Sequence, residues 1–483
     1  MHRQNPCDGV AKALSLSLFA VQALQRAMAP TLDEERSPSV KKKQSVDRLR
    51  SACEFLLLVS IFNIQTTSPI LRTLQMSALK LAVSLLPITA VIASLLPASA
   101  QETASSLENA LAGTKPILDA RVRYEGVEQN GFGKEADALT YRLRAGFETG
   151  AFANTKLLVE FDHIDDLVGD FNSTINGKTA YPVIADPNAT ELNRFQLTNT
   201  SLPDTVVTLG RQRIILDDSR FIGNVGWRQN EQTFDGVRLQ NTGYGELNID
   251  LSYISQINRI FGDDSPVGRW DGDTWLVNIS HPTPLGKLTG FGYFLDIENG
   301  GGTFSSQTIG ARLAGTQDMV SGALNYALSY AQQSDYADSP FDYEADYVLA
   351  EGAYTISNFT IGAGYEVLGG HAQRGFQTPL ATLHKFQGWT DKFLSTPAGG
   401  VEDIYAKAGY KLGKAGFLKG LNVTGFYHDL SADIGGADYG TEFGFVAAAS
   451  INKVKVTLKY ADYNADGFGT DTSKFWLQFD FSL

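Results

Sequence analysis

Lys474-Phe475-Trp476-Leu477-Gln478-Phe479-Asp480-Phe481-Ser482-Leu483 is the stretch whose reading decides the fold. Side chains of a strand alternate between two faces, so Phe475, Leu477, Phe479, Phe481 and Leu483 share one face. Lys474, Trp476, Gln478, Asp480 and Ser482 share the other. Strand ends fray, and a soluble domain rarely finishes on an aromatic face. A β-barrel in lipid requires that pattern, because its outer surface meets acyl chains and its inner surface meets water.

Working back from this strand, the same alternation recurs to about residue 116. Outward sets are Leu118, Ala120, Val122, Tyr124; Leu139, Tyr141, Leu143, Ala145, Phe147; and Leu157, Val159, Phe161. Phe195 and Leu197 follow, then Leu247, Ile249, Leu251, Tyr253; Trp275, Val277, Ile279; Phe291, Tyr293, Leu295; and Ile309, Ala311, Leu313. Leu324, Tyr326, Leu328, Tyr330; Phe359, Ile361, Ala363, Tyr365; Phe443, Phe445, Ala447; and Val454, Val456, Leu458, Tyr460 complete the series. The segments predict an all-β, transmembrane, antiparallel barrel of about 18 strands, with sixteen as the alternative count.

Connections alternate between short and long. Thr149–Asn154, Asn199–Asp204, Asn241–Gly245, His281–Gly286 and Ile451–Lys453 are tight, whereas Asp165–Ala189, Leu216–Gln232, Arg259–Asp271, Ser334–Glu344 and Gly369–Glu402 are long. Short periplasmic turns and long external loops are the asymmetry of outer-membrane barrels, which places both termini in the periplasm. Aromatics close many of the apolar sets, as an interfacial girdle requires.

The first hundred residues read differently. Met76 to Lys80, the apolar run Leu81–Leu96 and Ala98-Ser99-Ala100 form a secretory signal peptide cut after Ala100. Residues 1–75 are expected to be a disordered upstream extension from a wrongly assigned start codon; the rival reading is a long leader with its own role. Their apolar stretches, Leu14–Leu24 and Phe55–Ile64, fall short of the roughly 18 residues of a membrane helix. Residues 101–115 read as a periplasmic lead-in and 116–483 as the barrel.

Both cysteines, Cys7 and Cys53, lie in the upstream extension, so the exported chain is expected to rely on packing and sheet closure alone. Of 40 basic and 53 acidic residues, 11 and 6 fall within residues 1–100, which leaves a net charge of −18 beyond them. Such acidity argues against nucleic-acid binding. The expected surroundings are the lipid bilayer, lipopolysaccharide and the barrel-assembly machinery, with the protein a monomer.

If the apolar face is lipid, the other face lines a lumen. Strand one then turns Asp119, Arg121, Arg123 and Glu125 inward, and strand two turns Arg142, Arg144 and Glu148 inward. Lys453, Lys455, Lys459 and Lys474 enter from the last two strands, which closure brings beside the first. A continuous basic wall results, with Arg238 and Arg312 elsewhere. Glu160, Asp162, Asp250, Asp296, Glu298 and Glu366 supply inward carboxylates, and such a field selects charged solutes.

One segment breaks the alternation. Leu209-Gly210-Arg211-Gln212-Arg213 leads into Leu216–Asn230, dense in Arg, Asp, Asn and Gly. It follows strand five and is expected to fold into the pore as a constriction loop carrying Arg211, Arg213, Asp217, Arg220, Trp227 and Arg228. The run from Leu209 through Trp227-Arg228-Gln229-Asn230-Glu231-Gln232-Thr233-Phe234-Asp235 resembles the alginate export family of outer-membrane proteins. So does Phe376-Gln377-Thr378-Pro379-Leu380-Ala381-Thr382 with His384-Lys385-Phe386 and Gly388-Trp389-Thr390-Asp391. The resemblance implies an 18-stranded monomeric barrel with a charged, constricted pore.

Other candidates are weaker. Asp462, Asn464 and Asp466 with Gly467 mimic half a calcium loop, but Ser473 stands where the bidentate Glu belongs. The histidines show no metal-ligand spacing; His163 has no recognisable serine neighbour, and His384 reads as a packed polar residue and not as a base. No cofactor, metal or enzyme activity is expected. The reading is a passive channel for hydrophilic, anionic solutes. Its alternatives are export of an acidic polysaccharide such as alginate, and a barrel enzyme or plugged structural protein.

Overall fold

The computed structural model describes residues 107–300, 302–416 and 418–482. The upstream extension, the signal peptide, the start of the lead-in and Leu483 lie outside the described residues. A six-residue helix, α1 (Leu107–Ala112), stands in the polar lead-in, for which no helix is expected.

Strands β1 (Lys115–Gln129), β2 (Ala136–Glu148), β3 (Thr155–Asp170), β4 (Ala189–Asn199), β5 (Thr205–Gln212) and β6 (Thr233–Tyr244) follow. Next come β7 (Leu247–Asn258), β8 (Arg269–Thr283), β9 (Gly286–Leu295), β10 (Ser306–Met319), β11 (Gly322–Ser334) and β12 (Glu344–Ile356). The series ends with β13 (Phe359–Leu368), β14 (Val401–Ala415), β15 (Leu418–Ser431), β16 (Asp438–Ile451), β17 (Val454–Ala465) and β18 (Thr472–Ser482). All 18 belong to one antiparallel sheet, closed by pairing of β1 with β18. The opening stretch therefore seals the barrel: Ala120, Val122 and Tyr124 face Phe481, Phe479 and Leu477 in register. Closure satisfies the strand edges that lipid cannot hydrate.

The outer face carries the apolar belt. Leu143, Phe161, Phe195, Trp275, Ile309, Leu328, Ile361 and Phe443 are all exposed on it. On β9 the sequence expectation is overturned: Phe291, Tyr293 and Leu295 are buried on the inner side, with Leu288 and Gly290 outside. Both faces of this strand are apolar, and a one-residue shift in reading reverses every side chain. These three residues belong to an apolar cluster with Leu276, Tyr347, Phe376 and Leu380, against which Phe221 packs. Part of the barrel interior is thus filled by apolar packing.

Two connections at the long-loop end supply that filling. Residues 213–232, between β5 and β6, and residues 369–400, between β13 and β14, are the two long segments of interest. Strand β3 runs further than expected, to Asp170, which shortens the connection to β4.

Candidate functional site

Strands β1 and β2 present their arginines to the loop at 213–232. Arg121 Nη1 donates to the carbonyls of Gly226, Trp227 and Arg228 at 3.1, 3.1 and 3.2 Å. Arg123 Nη1 donates to the Trp227 carbonyl at 2.5 Å, and Arg142 Nη1 to that of Gln229 at 3.3 Å. Loop carbonyls have no strand partner, and a guanidinium offers several donors in a fixed fork, so three arginines can hold four residues of irregular backbone.

The same side chains meet carboxylates. Arg121 pairs with Asp480 at 2.8 Å, Arg123 with Asp186 at 2.6 Å, and Arg142 with Asp119. Arg144 makes a two-pronged pair with Asp162 at 2.6 Å and reaches Glu231 at 3.2 Å. Glu160 pairs with Arg194 at 2.6 Å, and Arg213 pairs with Glu231. Arg228, from the loop, joins Glu125 and Asp391, each at 3.1 Å. Arg123, Asp186 and Glu231 are fully buried, which an ion tolerates only with its partner in place. The cations on these strands therefore hold the loop and balance carboxylates, and do not stand bare to water.

The two stretches singled out in the sequence cross inside the barrel. Gly223 N donates to the Leu380 carbonyl at 2.8 Å, and Thr382 N to that of Ser219 at 3.0 Å. Gln232 Nε2 reaches the Leu380 carbonyl at 3.1 Å, and Lys385 Nζ the Asp218 carbonyl at 2.6 Å. Arg220, buried, donates to Glu366 at 2.6 Å and to Thr378 at 3.0 Å, while Tyr347 donates to the same Glu366. Backbone strain collects at this crossing: Asp217, Ser219 and Val225 adopt φ of 50°, 70° and 50°. A β-branched residue such as Val225 is there only because its surroundings fix it.

Lys459 stands at the centre of an aromatic enclosure. Its ammonium lies 3.6 Å from the ring centroid of Trp389, 4.2 Å from Trp227 and 5.1 Å from Trp476. It donates to His384 Nε2 at 2.6 Å, and His384 Nδ1 donates to Asp391 at 2.7 Å. Trp227 stacks on His384 at 4.6 Å. Burial, Lys459 and Arg228 outweigh Asp391 and push the His384 imidazole down to about 3, so it is neutral. For the Asp391 carboxyl, burial opposes ionisation, yet His384, Lys474 and Arg228 hold it well below the usual range. Burial likewise opposes Glu231, but Arg144 and Arg213 draw it down to about 2.

Several expected pore residues lie away from this cluster, some of them still on the inner face. Lys453 lies in the turn before β17, and Lys455 is exposed at the short-turn end, so neither joins the cationic cluster. Glu148 pairs with Lys156 at 3.2 Å at that same end. Asp296 lies past β9 and leaves the inward positions to Leu295 and Ile297. Arg211 pairs with Asp235 beside the exposed Phe195, outside the constriction. Arg238 pairs with Asp250 at 2.5 Å, and Arg312 with Asp218 at 3.0 Å. Asp217 accepts Lys287 at 2.7 Å, which ties the loop to the start of β9 near the short-turn end. Asp462 and Asn464 lie within β17, where extended backbone separates alternate residues by roughly 7 Å, and Asp462 accepts the Tyr460 hydroxyl.

Asp186, Glu231, Asp391, Arg194 and Trp476 were not singled out as site residues. They have no shared spacing: infolded loops bring in Asp186, Glu231 and Asp391, while strands β4 and β18 supply Arg194 and Trp476. A cavity of about 630 Å³ adjoins the crossing, and Arg228, Asp391, Lys392, Lys474, Arg259, Phe261 and Phe468 are among its lining residues. A second, of about 340 Å³, lies along β10–β12 with Arg312, Glu351 and Lys407.

A closed 18-stranded antiparallel barrel with an apolar exterior, a charged interior and two loops folded inward is a transmembrane barrel of the porin type. Solved structures agree on that class. Pseudomonas aeruginosa OpdO is similar with a TM-score of 0.59 at 14% identity, covering 78% of this chain and 99% of its own. Pseudomonas aeruginosa OpdK, solved with vanillate, has a TM-score of 0.59 at 14% identity, covering 77% and 99%. Acinetobacter baumannii OccAB4 has a TM-score of 0.57 at 15% identity, covering 78% and 99%. No family model and no curated protein matches the sequence.

Proposed function

We propose that this protein is an outer-membrane channel through which hydrophilic, mainly anionic solutes diffuse passively. Its long loops face outward and its termini lie in the periplasm. The observation that carries the reading is the clustering of Arg121, Arg123, Arg142, Arg144, Arg228 and Lys474 around the loop that narrows the lumen. Such a cluster favours an anion over a cation to the extent that its carboxylate partners leave charge uncompensated. OpdK, of similar fold, was solved with vanillate, an anion, which agrees with this solute class.

The role is transport and not catalysis. Both ring nitrogens of His384 are engaged, and His163 contacts Tyr141 and Thr190 in place of a serine. Planar-bilayer recordings in a salt gradient test the proposal: discrete conductance with a reversal potential favouring anions is expected. Absence of conductance, or cation preference, overturns it.

A second reading is export of an acidic polysaccharide. It is favoured by the resemblance of Leu209–Asp235 and Phe376–Asp391 to the alginate export family, since these are the segments that cross in the lumen. Block of the ionic current by oligouronates but not by monomeric anions would select it.

A further inference from the structure

Lys459 lies on the inner side of β17 but is only 4% exposed, too deep to meet a passing solute. A buried ammonium ordinarily answers a carboxylate. Among the described residues none is in ion-pair contact with it. The indole faces of Trp389, Trp227 and Trp476 stand in that place, at 3.6, 4.2 and 5.1 Å. The ammonium donates to His384 Nε2 at 2.6 Å.

That hydrogen bond decides where the imidazole proton sits. An ammonium only donates, so Nε2 is the bare, accepting nitrogen and the proton is left on Nδ1. Nδ1 then donates to Asp391 Oδ1 at 2.7 Å. The other oxygen, Oδ2, receives Arg228 at 3.1 Å and Lys474 at 2.8 Å. Asp391 has a backbone φ of 62°, a conformation that its surroundings have to hold. One carboxylate thus joins a loop arginine to a lysine of the barrel wall, and its direction depends on the ring beside it.

We infer that Lys459 is a positioning residue of the constriction: acting through the His384 tautomer, it aims Asp391 at Arg228 and Lys474. The inference rests on the channel reading only for its effect on current. Groups facing the ring come from four elements: Asp391 from its own loop, Arg228 from the loop after β5, Lys459 from β17 and, through Asp391, Lys474 from β18. The next carboxylates, Glu125 and Glu442, are engaged by Arg228 and by the Trp389 and Thr390 amides. Burial, with Lys459 and Arg228, outweighs Asp391 and holds the imidazole down at about 3. Removing Lys459 takes away one of these causes, so the ring should protonate more readily.

The test uses the full chain in detergent with isotope-labelled histidine, read by nitrogen NMR and assigned with His384→Gln. Between about pH 5 and 8 the unmodified protein should show a neutral His384 ring with its proton on Nδ1. In Lys459→Met, which fills the same space, the proton should spread to Nε2. The protonation midpoint should rise by roughly one to three pH units, the effect of losing a like charge at this range. Lys459→Arg, which keeps a charge and a donor, should restore the low midpoint, and Lys178→Met should leave it unmoved.

A proton on Nε2 in the unmodified protein overturns the inference without reliance on any variant. An unmoved midpoint in Lys459→Met overturns it too, since the side chain then only fills space. In planar bilayers, the reversal potential of Lys459→Met in a KCl gradient should move further towards anions on acidification than that of the unmodified protein. If the unmodified protein shows no conductance, the channel reading falls, and the ring measurements decide the positioning role alone.

Discussion

Arg220 and Glu366 show how this interior tolerates charge: each is buried, and Tyr347, Thr378 and Gln387 complete their hydrogen bonds. Arg220→Ala leaves the carboxylate without its counter-ion and should cost roughly 3–5 kcal/mol in urea unfolding from detergent. Arg220→Met with Glu366→Gln should recover most of that loss. The neutral His384 carries a pH signature. Its pKa falls from an unfolded value near ~6.5 to about 3, so its contribution is complete above pH ~6.5. That contribution drains away as pH falls towards about 3, because protonation then favours states in which the imidazole is free. Tryptophan fluorescence from Trp227 and Trp389 should report loosening across this window, and His384→Gln should flatten the response. Nothing in the sequence around His384 announces this, since Lys459 lies 75 residues away and arrives only through the sheet.

At the scale of elements, the loop at 213–232 and the loop at 369–400 act as one insert. Gly223 lies where they meet, and a Cβ there would collide with Thr382, so Gly223→Ala should separate the loops and raise single-channel conductance. Replacing Arg121, Arg123 and Arg142 together by Ser frees the carbonyls of residues 226–229 as well as removing charge. Current noise and conductance should therefore rise along with the loss of anion preference; a shift in preference at constant conductance would contradict the anchoring role. The infolding itself was legible: Phe221 and Trp227 are too large and apolar for a segment of bare solvent-exposed loop. What covers them was not, because Phe221 meets β9, β12 and Phe376 while Trp227 meets His384 and Trp476 of β18, all far away in sequence.

For the whole molecule, the lipid belt sets the terms of assembly. Leu328, mid-strand and exposed on β11, should tolerate Phe, whereas Leu328→Arg should cost roughly 2–4 kcal/mol when folding into liposomes is titrated with urea. Strand number, antiparallel order, the alternation of turn lengths and the inward facing of Arg123, Arg142, Arg144 and Lys474 were all set by the sequence itself. Each depends on a local period of two or on the spacing between turns. Tertiary structure decided the rest: which face of β9 meets the interior, which arginines hold a loop, and which carboxylates answer them. Strand alternation assigns a side chain to a face, but its partner across a lumen depends on how the chain closes and which loops fold back. The terminal strand shows both sides of this. Its apolar alternation declares a barrel, whereas Lys474 gains its role only when Asp391 arrives from the loop beyond β13.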